Sequence, residues 1–194
     1  MSANRLVAAV ATLAVLGSLA FAGCSSPTTG SAPPDDTTAA EDTEETEAPA
    51  AAAGTRENPF PLGTVIESDE WTVVVNSVTL DGNEAVAAAN QFNEPPAEGS
   101  QYIVVNYTVT YTGDDPDGQM GAFVTLDYVT ASGTTVDSMG SLAVAPDPAV
   151  DTTSALYNGG SVTGNKAIAV PSPPDGVLAI QPGMLADKVF SAIQ

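Results

Sequence analysis

The sequence has 194 residues, of which 24 are acidic and four are basic, so its formal net charge at pH 7 is −20. An acidic excess of this size repels phosphate backbones and excludes nucleic acid as a partner. The chain has no histidine and one cysteine. This composition excludes histidine-based catalytic triads and zinc sites built from cysteine and histidine.

The first 24 residues have the pattern of an export signal. Arg5 supplies a positive charge, residues 6–20 are mostly apolar, and Ala22 and Gly23 precede the lone cysteine, Cys24. The apolar run is short for a membrane span and has the proportions of a signal peptide. We therefore predict an exported protein.

The two small residues before Cys24 resemble the lipobox of bacterial lipoproteins, although Phe21 stands where leucine is usual. This resemblance implies that residues 1–23 are a signal peptide and that the Cys24 thiol is diacylated, for example with palmitate. Two acyl chains make a stable membrane anchor, whereas one binds marginally. The predicted location is the outer face of the bacterial cell membrane. The alternative is an ordinary signal peptide cut near Ala22, which would leave a stray thiol.

Residues 24–55 are predicted to be a tether that begins with the lipidated Cys24. Residues 25–55 contain no aromatic residue, leucine, isoleucine or valine, and they include seven acidic residues. Such a segment cannot bury enough apolar surface to offset the entropy of ordering, so we expect it to be disordered. Its predicted role is to hold a domain clear of the membrane.

Residues 56–194 are predicted to be one domain, long enough to bury a core of its own. It carries 17 acidic and three basic residues, a net charge of −14. Within residues 71–80, Trp71, Val73 and Val75 share one strand face. Val78 and Leu80 have the opposite parity, which indicates a β-bulge near residues 76–77.

Residues 101–111 alternate more cleanly and predict a half-buried antiparallel strand. Its apolar face is predicted to carry Ile103, Val105, Tyr107, Val109 and Tyr111. The other predicted elements are strands at residues 123–130, 134–137, 161–170, 176–180 and 188–193, a hairpin turn at residues 131–133 and a helix at residues 83–91. Many short strands with one short helix predict an all-β fold, an antiparallel β-sandwich.

Three segments also resemble one known family. They are residues 56–64 (RENPFPLGT), residues 87–109, which join the helix to the second strand, and residues 156–165 (LYNGGSVTGN) before Val170 and Pro171. In this order they resemble the uncharacterised extracellular domain family of actinobacterial and other Gram-positive lipoproteins, which is similar to a small secreted mycobacterial immunogenic antigen. The resemblance implies an immunoglobulin-like β-sandwich without catalytic residues. Relatives often have a cysteine where this chain has Ala167, so the resemblance also implies a domain without that disulfide.

Candidate catalytic groups are limited to carboxylates, hydroxyls and lysines. A Ser–Lys dyad would need Lys166 or Lys188, and Lys166, in a predicted strand, is expected to be a solvated surface lysine. Carboxylate pairs could hydrolyse envelope glycans, but such enzymes usually have an aromatic-lined cleft. Trp71, the only tryptophan, is predicted to be buried in the core. We assign no catalytic residue and no cofactor.

The densest acidic cluster in the domain lies in residues 114–118, which include Asp114, Asp115 and Asp117. Three carboxylates in one loop suit a hard cation such as Ca²⁺, although their spacing does not fit an EF-hand. The favoured interpretation is a Pro/Gly turn with solvated acids. The three aspartates stay candidate metal ligands, and no metal is assigned.

Together these features favour a membrane-anchored bacterial surface lipoprotein. Its immunoglobulin-like domain is predicted to be a non-enzymatic binding or interaction module with an envelope or extracellular partner. The alternatives are a carboxylate-based hydrolase of envelope glycans and a Ca²⁺-stabilised structural module.

Overall fold

The computed structural model describes residues 52–136 and 143–194. The predicted lipidation residue Cys24, the predicted signal peptide and the tether up to residue 51 lie outside this part, as does Asp137 at the end of a predicted strand. In the part that is described, no helix has the length and hydrophobicity needed to cross a membrane.

Most of the described secondary structure consists of strands. In chain order the elements are β1 (Val65–Glu67), β2 (Trp71–Thr79), helix α1 (Asn83–Ala89), β3 (Ser100–Tyr111), β4 (Gln119–Met120), a 3₁₀ turn (Gly121–Phe123), β5 (Val124–Val129), β6 (Thr135–Val136), β7 (Ala155–Leu156), β8 (Ser161–Pro171), β9 (Val177–Pro182) and β10 (Val189–Ser191).

The strands form two four-stranded sheets with orders β1-β2-β3-β8 (sheet 1) and β10-β9-β5-β6 (sheet 2), and β4 pairs with β7 in a separate ribbon. All of these pairs are antiparallel. In an immunoglobulin-type sandwich, β2, β3 and β8 correspond to strands A, B and E, and β5, β9 and β10 to strands C, F and G. The prediction of an antiparallel β-sandwich with one short helix is confirmed.

The main core lies between the two sheets. The predicted apolar face of β3 is buried there, and Ile103, Val105 and Tyr111 are each 0% exposed. Sheet 2 contributes the alternating residues of its own inner face. The largest fully buried side chains include Trp71, Tyr111, Tyr128, Leu126, Leu178 and Ile180.

A β-bulge interrupts the pairing of β2 with β3, as predicted. Val75 pairs with Tyr107 but Ser77 pairs with Asn106, so the extra residue is Asn76. The insertion reverses the parity of the strand. Val78 and Leu80 consequently pack against the same core as Trp71 and Val75.

The outer face of sheet 1 is polar at one end and covered at the other. Hydroxyl and amide side chains on adjacent strands hydrogen-bond in rows, including Thr108 with Thr163 (2.8 Å) and Asn106 with Asn165 (2.8 Å). Further along, α1 places Val86 on a small second cluster with Tyr102, Val104 and Ala167. The polar rows agree with the prediction that β3 is half-buried. Helix α1 explains why β3 is buried on both faces near Tyr102 and Val104.

The predicted element boundaries needed several corrections. Helix α1 ends at Ala89 because Asn90 is extended, and β8 runs through Pro171, which lies at its last position where a missing N–H is tolerated. Strands β1, β4 and β7 were not predicted. Each has only two or three residues, too few for an alternating pattern to appear.

Lys166 is not the solvated surface lysine that was expected. It has the same parity as the buried Ile168 and Val170, so it lies on the inner side of β8. Its Nζ donates a hydrogen bond to the carbonyl oxygen of Leu126 in β5 (2.8 Å). A lysine stem can cover apolar surface while its head reaches a polar partner, and here that partner is on the opposite sheet.

Candidate functional site

Two connections meet at one end of the sandwich and enclose a cleft. They are the turn between β1 and β2 and the loop between β9 and β10. The cleft, called the acidic cleft below, is lined by residues 66–71 and 182–187 together with Gln119, Phe123 and Val189, and its volume is about 900 Å³. Loops at the ends of a rigid sandwich are where such folds usually bind their partners.

Ser68 joins the two connections. Its Oγ donates a hydrogen bond to the carbonyl oxygen of Pro182 (2.7 Å) at the end of β9. The Ser68 Oγ in turn accepts a hydrogen bond from the backbone N–H of Trp71 (3.1 Å) at the start of β2. One hydroxyl thus fixes the β1–β2 turn against the β9–β10 loop, so hydrogen bonds within the fold hold the two walls of the cleft together.

Gly183 lets the β9–β10 loop cross Trp71 at close range. Its φ is +100°, and a Cβ at this position would lie 2.9 Å from Cδ1 of the Trp71 ring. Only glycine accepts both the left-handed backbone and this approach. The Gln181 side-chain amide then donates to the carbonyl oxygen of Met184 (3.1 Å), which holds the loop beyond the glycine.

This loop carries two apolar side chains into solvent. Met184 is 69% exposed and Leu185 is 100% exposed. They follow directly on Gly183, where the chain turns away from the core. Together they form a small exposed apolar patch that a partner could cover.

The floor of the acidic cleft is apolar and rigid. Trp71 is 2% exposed, and its ring packs on Tyr111 with the ring centroids 4.9 Å apart and the planes tilted by 55°. Ile66, Phe123 and Val189 complete the floor. The prediction that Trp71 is a core residue is confirmed, and it lies beneath the cleft as well.

The rim of the acidic cleft is negatively charged. Its acidic residues are Glu67 at the end of β1, Asp69 and Glu70 in the β1–β2 turn, and Asp187 in the β9–β10 loop. All four residues are exposed. Carboxylates around a low-dielectric floor concentrate negative potential in the cleft and raise the local concentration of cations or cationic groups.

The predicted acidic loop of residues 114–118 is a self-contained turn next to this cleft. The Asp115 carboxylate accepts hydrogen bonds from the backbone N–H of Asp117 (2.9 Å) and from the side-chain amide of Gln119 (2.5 Å), a residue of the cleft lining. Asp114 and Asp117 are exposed. Among residues 52–136 and 143–194, no three acidic residues converge to hold a metal ion. Asp114, Asp115 and Asp117 are therefore not brought together as a ligand set.

The acidic cleft was not predicted from the sequence, because it depends on contacts between distant segments. Ser68 and Pro182 are 114 positions apart. One signal was present: the pair Met184-Leu185 directly follows Pro182-Gly183 and lies between two predicted strands, not within either of them. Hydrophobic residues at a predicted loop tip were the clue to a contact surface. Of the two candidate lysines, Lys188 is exposed beside Asp187 and Lys166 is held by Leu126.

No protein-family model and no curated protein sequence matches the chain. Two solved structures are similar to it. A conserved hypothetical protein from Bacillus anthracis is 15% identical, with 68% of this chain and 94% of that one covered and a TM-score of 0.44. A β-sandwich protein from Clostridium difficile is 12% identical, with 70% and 94% covered and a TM-score of 0.43. The similarity concerns the β-sandwich alone.

Proposed function

We propose that this protein is a bacterial surface lipoprotein, anchored through Cys24 on the outer face of the cell membrane, whose β-sandwich is a non-enzymatic binding module. The observation that carries the binding role is the acidic cleft, with Met184 and Leu185 exposed at its edge. Exposing a leucine completely forgoes the free energy of burying it, about 1.5–3 kcal/mol. Contact with a partner would recover part of that free energy.

The sequence supports the anchor. Cys24 is the only cysteine, and it follows two small residues at the end of an apolar run. Diacylation gives this thiol a role, whereas a free thiol on an exported protein is exposed to oxidation. The resemblance to the immunoglobulin-like domains of Gram-positive lipoproteins supports the same assignment, and the strand order described above fits such a domain.

The anchor is tested by expressing the full chain in a Gram-positive host and separating membrane from medium. The wild type is expected in the membrane fraction, with an intact mass at its N-terminus that corresponds to a diacylated Cys24. Cys24→Ala is expected to be released or to stay as the uncut precursor, because a durable anchor needs two acyl chains. A wild-type protein found only in the medium, without lipid, would contradict the anchor.

The second candidate function, a carboxylate-based hydrolase of envelope glycans, is favoured by one observation: four carboxylates line the cleft. Opposed to it, the Trp71 ring is buried against Tyr111 and offers no open face on which a sugar could stack. Purified lipoprotein incubated with cell-wall fragments is expected to release no new reducing ends. Release that Glu70→Gln or Asp187→Asn abolishes would make the protein a hydrolase.

A further inference from the structure

The acidic cleft combines two recognition features. Its floor, formed in part by Trp71 and Phe123, is apolar, and Leu185 extends that apolar surface to the rim. Its rim carries acidic residues from both connections, such as Asp69 and Asp187. A ligand that fits must therefore offer apolar surface and positive charge together.

The spacing of the rim carboxylates argues against a single small cation. The rim acids come from two separate segments of the chain, and within the described residues no three acidic groups are close enough to share an ion. A cleft of about 900 Å³ is also far larger than an ion. Several separate positive charges along an extended ligand would match this rim.

A second copy of this chain is a poor match for the cleft. Residues 56–194 carry a net charge of −14. Their basic side chains are only Arg56, Lys166 and Lys188, and Arg56 lines a separate small cavity with Val129 and Val177, at the end of the β5–β9 pairing away from Pro182. Lys166 reaches across the sandwich to Leu126, and Lys188 is one exposed lysine directly after Asp187 of the rim. Docking another copy would place acid against acid.

The geometry points to a basic polypeptide segment with interspersed aliphatic side chains as the occupant of the acidic cleft, an inference that rests on the proposed binding function. Lysine or arginine side chains of the partner pair with the rim carboxylates. An aliphatic side chain of the partner packs against Met184 and Leu185, the exposed apolar side chains of the cleft. The rim charges speed association, and the apolar contact slows dissociation.

The test uses the purified mature lipoprotein in non-ionic detergent and three fluorescently labelled peptides of equal length, composed of Lys and Leu, Lys and Ser, or Glu and Leu. Binding is followed by the fluorescence anisotropy of the labelled peptide. The Lys–Leu peptide is expected to bind most tightly. Its affinity should fall as salt rises from about 0.01 M to about 0.15 M, since the screening length shortens from about 30 Å to about 8 Å.

Cleft variants locate the binding. Asp69→Asn with Glu70→Gln should weaken the Lys–Leu peptide about fivefold, and Leu185→Ser should weaken it about tenfold. The matched controls are Glu84→Gln with Glu98→Gln, which remove the same charge from exposed positions outside the cleft lining, and Phe92→Ser, which removes an 81% exposed aromatic residue. The controls should leave the affinity unchanged.

Three results would overturn the inference: no binding of the Lys–Leu peptide, equal binding of the Lys–Ser peptide, or equal loss of affinity in the control variants. All substituted side chains are exposed, so folding is expected to be kept, and a far-UV circular dichroism melt of each variant checks this. Failure of peptide binding would leave the membrane anchor standing. An unlipidated protein in the medium would overturn the anchor while leaving the peptide result intact.

Discussion

The hydroxyl of Tyr128 closes the end of the sandwich opposite to the acidic cleft. It accepts hydrogen bonds from the backbone N–H groups of Asp175 (2.8 Å) and Gly176 (2.6 Å), just before β9. Gly176 must be glycine here, because a Cβ would lie 2.0 Å from the carbonyl oxygen of Val129. One phenol and one glycine thus fix where β9 begins.

Tyr128→Phe is expected to destabilise the protein by about 1–3 kcal/mol, because it leaves two backbone donors without their acceptor. The free energy of unfolding in urea measures this. Tyr157→Phe is the matched control, since Tyr157 is 58% exposed, and it should change stability by less than about 0.5 kcal/mol. Equal effects of the two substitutions would contradict the role given to the Tyr128 hydroxyl.

The buried phenol of Tyr107 should limit the stability of the protein at high pH. Burial disfavours the charged phenolate and raises the pKa of Tyr107 from 10.0 to about 12. A group whose pKa is higher in the folded state contributes stability below its unfolded value and loses that contribution as pH rises through the folded value. Stability is therefore expected to decline from about pH 10 toward pH 12. Tyr107→Phe should flatten that part of the curve, and an unchanged curve would contradict this assignment.

One face of strand β3 packs in the core between the two sheets and the other face lies outside it, so a charge should destabilise the protein more on the first face than on the second. Val105 is 0% exposed, and Thr108 lies on the outer face in a hydrogen bond with Thr163. Val105→Asp should cost more than about 4 kcal/mol, because it buries an unpaired charge. Thr108→Asp should cost about 1 kcal/mol. Thermal melts measure both, and equal losses would mean that the faces are wrongly assigned.

The long strands could be predicted from the sequence and the short ones could not. The alternation of β3 and the parity change at Asn76 indicated a half-buried strand and a bulged one, because the pattern in each was long enough to show its period. The short strands β1 and β7 are extended because they pair with β2 and β4, not because of a pattern in their own sequences. The prediction for Lys166 was wrong because a charged side chain was expected to face solvent. Its parity with Ile168 and Val170 was the better guide, since it puts Lys166 on the inner face of β8.

The candidate site was less predictable than the fold. The acids of the β1–β2 turn and the exposed Leu185 are far apart in sequence, and contacts between the two sheets, such as Ser68 with Pro182, bring them to one cleft. The composition predicted a negatively charged surface but not where on the fold the carboxylates of the cleft would lie. The acidic loop of residues 114–118 was the densest acidic cluster in the domain sequence, yet the Asp115 carboxylate accepts hydrogen bonds from Asp117 and Gln119.

On the scale of the whole molecule, the acidic cleft and the start of the described chain involve different parts of the sandwich. The Gly54 N–H donates a hydrogen bond to the carbonyl oxygen of Asn58 (2.9 Å), and its carbonyl oxygen accepts one from the N–H of Phe190 (2.8 Å). Arg56 lies near the β5–β6 turn. None of these residues lines the acidic cleft. A partner in the cleft would thus not compete with the contacts that join the proposed tether to the domain.

Site-specific photo-crosslinking on intact cells tests the central claim most directly. A photoreactive amino acid replaces Leu185 in the full-length lipoprotein, and in a matched strain it replaces Phe92, which is also exposed but outside the cleft. Mass spectrometry then identifies the crosslinked segment. The account predicts adducts at position 185 with a Lys- or Arg-rich segment of another protein, and few at position 92. Equal adducts at both positions, or adducts at position 185 only with acidic or neutral segments, would contradict it.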